Sequence, residues 1–323
     1  MNNSPFLSSC TVDSIRVAAE ALKAGHLVAF PTETVYGLGG DARNPEAVKR
    51  IYEVKGRPSD HPLIVHISSM NKLDKWASEI PDYAIALARA FWPGPMTLIL
   101  NRTEVAKDFI TGGQETVGLR VPSDPIALAL MQEFERISDS AIAAPSANRF
   151  GQVSATSSND VLEELEEYLS YDDIVLDGGI SKIGIESTII DCTGETPRIL
   201  RPGFIAETDI ELITGLVCQH KDVLKLVKFS GSFEKHYAPK CRIILGMQTV
   251  EGGGLLALAE VDTPSEMIRI GQPSTLEEFA RILYSSFRTA DRKNLGTLVV
   301  VPPNGPGLAL AIAERLSKAS QGR

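Results

Sequence analysis

The sequence predicts an α/β protein built from two domains. Its 323 residues exceed the size of one average domain, and its hydrophobic and charged fractions, 43% and 23%, are ordinary for a globular protein with buried cores. Short apolar runs of strand length alternate with segments whose apolar residues recur at the helical period. Near the C-terminus this alternation indicates a smaller α/β domain with a parallel sheet.

Composition excludes several classes of protein. A net charge of -9 argues against a protein that binds nucleic acid over its whole surface. Such binding needs many Lys and Arg side chains, which release the counterions condensed on the phosphates. The four cysteines are widely spaced and form no C-x-x-C pair, so neither a zinc site nor a disulfide framework is indicated. No signal-peptide pattern and no apolar run of membrane-spanning length occurs, which predicts a cytoplasmic protein without membrane contact.

The first helix and strand lead into a glycine-rich loop. Thr11 or Asp13 can cap the helix, Gly25 ends it, and residues 27–30 form a strand that Pro31 terminates. The next residues are polar and then glycine-rich, namely Thr32, Glu33, Thr34, Tyr36, Gly37, Gly39 and Gly40. Such a loop can approach a ligand closely, although a plain strand-to-helix connection is the alternative.

The second helix begins at Asn44 and Pro45 and stops at Gly56, which places Lys55 and Arg57 at its C-terminus. Two cations two residues apart suit an anion. Basic residues in the last turn of a helix also complement the macrodipole without any ligand, so this alternative stays open.

Two later strands carry candidate polar groups. Residues 63–67 form a strand with His66 embedded in it, and a lone histidine there is usually a core residue. In the stretch 116–121, Thr116 and Arg120 share one face with Gly118 between them. These two side chains suit a cleft that holds an anion, and a solvated sheet face is equally compatible with the spacing.

Helices are predicted near 71–78 and over 81–91, a strand over 96–100, and a helix over 124–135. The apolar residues 141–144 then form a buried strand that Pro145 ends, leaving Ser146 and Asn148 at its carboxyl edge. Open α/β sheets keep their ligands at that edge. A simple turn is the alternative.

The remaining chain supplies two more strands, a basic stretch and the small domain. The strands are predicted over 173–177 and 186–191, residues 198–203 close the first domain, and lysines cluster between 204 and 240. Beyond them, strands are predicted over 242–245, 255–259 and 298–301, with helices over 275–289 and 306–319.

Four segments taken together carry a family resemblance: Phe30 to Leu38 (FPTETVYGL), Lys55 to Pro58 (KGRP), Ala144 to Asn148 (APSAN) and Lys235 to Pro239 (KHYAP). The pattern closely resembles the YrdC-like threonylcarbamoyl-AMP synthases, in the longer form with an extra C-terminal domain. The resemblance implies a twisted mixed-sheet catalytic domain over 8–203, a linker over 204–239 that acts as a lid, and a Rossmann-like α/β domain over 240–323.

The resemblance also implies roles for individual residues. Catalytic roles fall on Lys55, Arg57, Ser146 and Asn148. Nucleotide contacts fall on Arg57, His61, Thr116, Ser146, Ser154, Arg201 and Tyr237. Threonine contacts fall on Thr34, His66, Arg120, Ala144 and Ser187. The position of His61 is often Asn in relatives, and either side chain can donate a hydrogen bond.

The implied reaction joins L-threonine and bicarbonate to AMP from ATP and releases pyrophosphate, as the first step of tRNA threonylcarbamoyladenosine modification. Mg²⁺ is expected to enter with ATP, held through phosphates rather than by side-chain ligands. A tRNA-modifying threonylcarbamoyl transferase complex is the expected downstream partner, and weak RNA contact stays open. The alternatives are a double-stranded RNA-binding module and a carbamoyl-adenylate transfer module of the hydrogenase-maturation type.

Overall fold

The computed structural model describes residues 4–220 and 237–321. The basic stretch 221–236 of the predicted lid lies outside the described residues. The described residues form a large mixed sheet and a second, four-stranded parallel sheet, with helices packed on both. This arrangement confirms the predicted α/β class.

Local sequence signals explain the helices of the first part. Asn44 caps the second helix by accepting the backbone N–H groups of Glu46 and Ala47, and Gly56 ends it in the left-handed conformation with φ 61°. Thr11, rather than Asp13, caps the first. The helices are α1 (Val12–Lys23), α2 (Pro45–Lys55), α3 (Leu73–Trp76), α4 (Asp82–Phe91), α5 (Asp108–Thr111), α6 (Pro125–Ser138), α7 (Ser158–Leu165) and α8 (Glu207–Thr214).

The large sheet has twelve strands in the described residues. They are β1 (Leu7–Ser9), β2 (Val28–Phe30), β3 (Gly37–Asp41), β4 (Ile64–His66), β5 (Ala77–Ser78), β6 (Met96–Arg102), β7 (Thr116–Arg120), β8 (Ile142–Ala144), β9 (Ile174–Asp177), β10 (Thr188–Asp191), β11 (Arg198–Arg201) and β12 (Gln219–His220). Their order is β1-β9-β2-β3-β8-β4-β7-β6-β10-β11-β12, with β5 paired to β6. Parallel and antiparallel pairs alternate near the centre, where β4 pairs in parallel with β7 and antiparallel with β8.

The register of these central strands brings distant residues together. His66 pairs with Arg120 across β4 and β7, and Ile64 pairs with Ala144 across β4 and β8. The bridge between Gly37 and Ser146 extends the same edge. Polar groups from these chain segments therefore lie across neighbouring strands, with His66 and Arg120 at the ends of β4 and β7 and Ser146 beyond Ala144, beside the start of β4.

The glycine-rich loop is partly a strand, which corrects the sequence-based interpretation. Gly37 to Asp41 form β3, paired antiparallel with β2 and β8. A Cβ at Gly39 would lie 2.6 Å from Ile142 Cγ2 and 2.8 Å from Phe30 Cε1. These glycines therefore let the strand lie under bulky neighbours rather than form an open turn.

Two hydrophobic layers cover the sheet. One face packs on α2 and α4 through Val48, Ile51 and Leu87, and the other packs on α1 and α6 through Leu22 and Phe134. Burial on both faces fixes the strand register, because a slip of one residue would turn apolar side chains away from these layers.

The chain after residue 203 continues to pack on the first sheet. Helix α8 lies against α4, and β12 pairs in parallel with β11. Residues 204–220, which the sequence analysis placed in the linker, are therefore largely helix and strand.

The second sheet forms the small C-terminal part, in the order β13-β16-β14-β15, with all neighbouring strands parallel. Its elements are β13 (Arg242–Leu245), β14 (Gly254–Leu256), β15 (Ile268–Gly271), α9 (Leu276–Arg292), β16 (Thr297–Val300) and α10 (Leu308–Ser320). Sequence reasoning missed β15, because this edge strand has only four residues, and the alternation of Ile268, Arg269 and Ile270 is too short to stand out.

The two parts share a hydrophobic cluster. Val35, Val153 and Ile185 of the first part pack in one buried cluster with Tyr284 and Phe287 of α9. This cluster packs the C-terminal part against the loops of the first part that carry Val35, Val153 and Ile185. Within residues 4–220 and 237–321, no helix is long and apolar enough to cross a membrane.

Candidate functional site

A cleft opens between the carboxyl ends of β4 and β7, at His66 and Arg120, and the carboxyl end of β8, which is antiparallel to β4 and places Ala144 beside Ile64. It is lined by most of the side chains singled out from the sequence, namely Thr34, Arg57, His66, Arg120, Ala144, Ser146, Ser187, Arg201 and Tyr237. Strand register and the turn at Pro145 bring these residues together from segments far apart in the chain.

Two buried arginines give the cleft its positive charge. Arg57 donates from Nη2 to the carbonyl of Pro62 at 3.1 Å, and burial lowers its pKa to about 10. Arg201 donates to the carbonyl oxygen and the hydroxyl of Ser187, each at 3.1 Å, and burial lowers its pKa as well. A buried guanidinium is a strong partner for phosphate, because it is weakly hydrated and presents its donors in a fixed fork.

Lys55 makes a different contact from the one expected of a phosphate ligand. Its ammonium is buried and donates to the carbonyl of Ser146 at 2.5 Å and to that of Asn148. Burial, with Arg57 nearby, holds its pKa well below the ordinary value. In this structure Lys55 therefore fastens the end of α2 to the turn that presents Ser146 to the cleft.

A second group of polar residues surrounds Arg120. Its Nη2 donates to Glu33 Oε1 at 2.7 Å and to Thr34 Oγ1 at 2.9 Å, and its Nε to the carbonyl of Gly94 at 3.4 Å. The other oxygen of Glu33 accepts the backbone N–H of Ser123 at 3.0 Å. Glu33 thus fixes Arg120 at the cleft wall, a role that sequence reasoning did not assign.

His66 lies beside Arg120 and is 5% exposed. Burial, reinforced by the positive charge of Arg120, lowers its pKa to about 3. The imidazole is therefore neutral near pH 7. Its Nδ1 has no hydrogen-bond partner among the described residues, which leaves one polar atom for a ligand.

We expect His66 to make the fold less stable in mild acid. The unfolded chain takes up a proton below about pH 6.5, whereas the folded chain resists it down to about pH 3, so stability falls as pH drops through this window. The contribution is up to about 1.4 kcal/mol per pH unit. Urea unfolding at pH 7, 6, 5 and 4 should show a shallower decline for His66→Asn than for the unchanged chain, and parallel curves would contradict the assignment.

Ser187 and Tyr237 close two further sides of the cleft. The hydroxyl of Ser187 lies 2.8 Å from that of Thr97. Tyr237 is fully buried, adopts φ 62°, and stacks on Tyr284 with ring centroids 5.5 Å apart. Burial raises the pKa of Tyr237 above its ordinary value, so the phenol stays protonated.

Five predicted residues lie outside the lining of the cleft: Lys55, described above, and Thr116, His61, Ser154 and Asn148. Thr116 begins β7, at the opposite end of the strand from Arg120. His61 packs its ring against Phe150, with centroids 5.7 Å apart. Ser154 donates to Glu186 at 2.6 Å. The amide of Asn148 donates to the carbonyls of Arg149 and Gln152 at 2.7 and 2.9 Å.

Glu186 is a cleft-lining residue that sequence reasoning missed. Its position directly before Ser187 was visible in the sequence, but a lone carboxylate in a cleft expected to bind anions gave no reason to choose it. Its partners are Ser154 of the first part and Tyr284 and Arg315 of the C-terminal part, all far from it in the sequence.

No group of three or more His, Cys, Asp or Glu side chains able to hold a metal ion occurs in the described stretches 4–220 and 237–321. A neutral oxygen instead lies just beyond the lining of the cleft. Asn148 Oδ1 is buried and has no partner in the described part of the chain. Such an acceptor fits a water bound to Mg²⁺, a metal that keeps several waters when phosphates supply its other ligands.

Comparisons with known proteins agree with this geometry. Residues 20–203 match the family described as "Telomere recombination", which groups Sua5, YciO and YrdC. Residues 205–321 match the family described as "Threonylcarbamoyl-AMP synthase, C-terminal domain". Both matches confirm the resemblance carried by the four sequence segments.

Relatives match over nearly the whole chain. The threonylcarbamoyl-AMP synthase of Pyrococcus abyssi is 40% identical over 332 residues, covering 95% of this chain and 94% of the relative. That of Bacillus subtilis is 38% identical over 330 residues, covering 96% and 93%. The crystal structure of P. abyssi Sua5 complexed with L-threonine superposes with a TM-score of 0.88 at 37% identity and covers 98% of both chains. The chain therefore belongs to the threonylcarbamoyl-AMP synthase family, in its longer form with a C-terminal domain.

Proposed function

We propose that this chain is an L-threonylcarbamoyladenylate synthase, which converts ATP, L-threonine and bicarbonate into threonylcarbamoyl-AMP, pyrophosphate and water. The observation that carries the proposal is one cleft with two neighbouring polar regions. Arg57 and Arg201 form a cationic region, while Thr34, His66 and Arg120 form a region suited to an amino acid. The relative that superposes over 98% of its chain was crystallised with L-threonine.

The chemistry needs charge and orientation rather than a side-chain nucleophile. The amine of threonine combines with bicarbonate to give a carbamate and water. A carbamate oxygen then forms a bond to the α-phosphorus of ATP as the bond from that phosphorus to the bridging oxygen breaks, and pyrophosphate leaves with the electron pair. Negative charge grows on the phosphoryl oxygens and the leaving group, so fixed cations stabilise the transition state more than the ground state.

Within this proposal the residues divide the work. Arg57 and Arg201 bind phosphate oxygens, and Ser146 donates a hydrogen bond at the strand edge. Arg120 binds the threonine carboxylate, while neutral His66 and the hydroxyls of Thr34 and Ser187 hold its polar groups. These contacts align the carbamate with the α-phosphorus, which lowers the entropic part of the barrier.

Magnesium fits this arrangement as a cofactor that arrives with ATP. Ser146 and Asn148 would hold its water shell, and the bound ion would supply positive charge to the phosphate oxygens. Tyr237 covers the cleft from one side and excludes water from the labile carbamate. The lid role of the linker 204–239, the downstream transferase complex, RNA contact and the cytoplasmic location stay predictions.

The deciding assay measures pyrophosphate release from ATP in the presence of magnesium, bicarbonate and threonine. We expect release to require both threonine and bicarbonate, because the carbamate is the nucleophile. The adenylate product should be identified by mass. Release that continues at full rate without threonine would contradict the proposed function, and serine in place of threonine serves as the matched control for side-chain specificity.

A further inference from the structure

Glu186 is an unexpected residue in a cleft that binds anionic substrates. It is 6% exposed, lines the cleft directly before Ser187, and lies close enough to Arg201 for each to alter the pKa of the other. A carboxylate here opposes the binding of a triphosphate unless its charge is balanced. None of the roles assigned above uses it.

Both oxygens of Glu186 are held by hydrogen bonds. Oε1 accepts Ser154 Oγ at 2.6 Å, Tyr284 Oη donates to Oε2 at 2.9 Å, and Arg315 Nε donates to Oε2 at 2.9 Å. Burial raises the pKa of a carboxyl group, but the charges of Arg315 and Arg201 outweigh it and hold the pKa of Glu186 at about 2. Glu186 is therefore an anion whose partners come largely from the C-terminal part.

Arg315, on α10, is fully buried. Besides Glu186 it contacts Glu314 and donates from Nη1 to the carbonyl of Pro202 at 3.0 Å. Its Cζ lies 5.6 Å from the ring centroid of Tyr237. A fully buried guanidinium is costly without charged partners, so this side chain is committed to the cleft wall.

We propose that Arg315 is a positioning residue through which the C-terminal domain prepares the nucleotide site: it holds and balances Glu186, so that Arg201 stays available to the phosphates. Without Arg315, Glu186 keeps its charge beside the cleft and its strongest remaining attraction is to Arg201. That attraction competes directly with ATP. Threonine binding, which uses the Arg120 region, is little affected.

The proposal rests on the proposed function, and it is tested by Arg315→Met, Glu186→Gln and the double variant. We expect Arg315→Met to raise the KM for ATP about tenfold or more, the effect of weakening one charge-assisted contact, with the threonine KM within about twofold of wild type. Glu186→Gln should restore ATP use in the double variant, because it removes the unbalanced charge.

Arg292→Met is the matched control. Arg292 also joins α9 to the first domain, through Asp160 and Glu163 at 3.0 and 2.9 Å, but away from the cleft. We expect it to lower the unfolding temperature without changing the ratio of the two KM values. Equal loss for both substrates in Arg315→Met, or no recovery in the double variant, would reduce Arg315 to a structural residue and overturn the proposal.

Two arrangements keep the outcome unambiguous. If Arg315→Met does not fold, Arg315→Lys replaces it. We then expect a smaller rise in KM that is again specific to ATP. A rise in KM for both substrates overturns the proposal. Calorimetric titration with ATP and magnesium, without threonine, separates the two levels of inference. If the chain makes no adenylate but its ATP affinity still depends on Glu186 and Arg315, only the proposed function is contradicted. If the chain is active but the variants bind ATP as tightly as wild type, only the positioning role is contradicted.

Discussion

Lys55→Ala is expected to lower turnover about tenfold or more, because Ser146 loses its fixed position, and the complete loss of a fixed donor at a reacting group costs about 10²- to 10³-fold. The ammonium of Lys55 bonds the carbonyls of Ser146 and Asn148 and so fixes the turn at the strand edge. Without it both carbonyls lose a donor inside the protein, and Ser146 loses its fixed position against the phosphates.

The measurement is kcat for pyrophosphate release, with the unfolding temperature recorded for each variant. Lys49→Ala is the matched control, because Lys49 lies on the exposed face of the same helix, where its ion pair with Glu53 is 3.8 Å long and accessible to solvent. This control should keep near-normal turnover. Near-normal turnover in folded Lys55→Ala would remove Lys55 from the machinery of the site.

Arg120→Ala is expected to raise the threonine KM by about 10- to 100-fold while the ATP KM changes little, as for the loss of a charge-assisted hydrogen bond to one substrate. The hydrogen bonds of Arg120 to the described chain use Nε and Nη2, which leaves the Nη1 edge for a carboxylate.

Arg120 also balances the buried Glu33, so the single variant carries a stability cost of about 3–5 kcal/mol from the unpaired charge. Glu33→Gln combined with Arg120→Ala removes that cost. If the high threonine KM persists in this double variant, the effect belongs to binding. Equal losses for threonine and ATP would place Arg120 outside the threonine site.

The sequence by itself determined the family and most of the local elements, although β3 and β15 were not recognised. The bounds of helix α2 can be predicted from its own residues, since Asn44 and Pro45 start it and Gly56 ends it. The strand edge at Ser146 follows from an apolar run and one proline. Such signals act over a few neighbouring residues, so they are readable without knowledge of the fold.

Only the tertiary structure decided which polar groups meet. Lys55 and Ser146 are 91 residues apart, and Glu186 and Arg315 are 129 apart. Thr116 and Arg120 share a strand face, yet they lie at opposite ends of β7 and only Arg120 reaches the cleft. Strand order and register set these distances, and both arise from the packing of the two hydrophobic layers and from crossover connections. The fold as a whole therefore decides which partner a buried charge meets, whereas the local sequence decides whether its segment forms a helix or a strand.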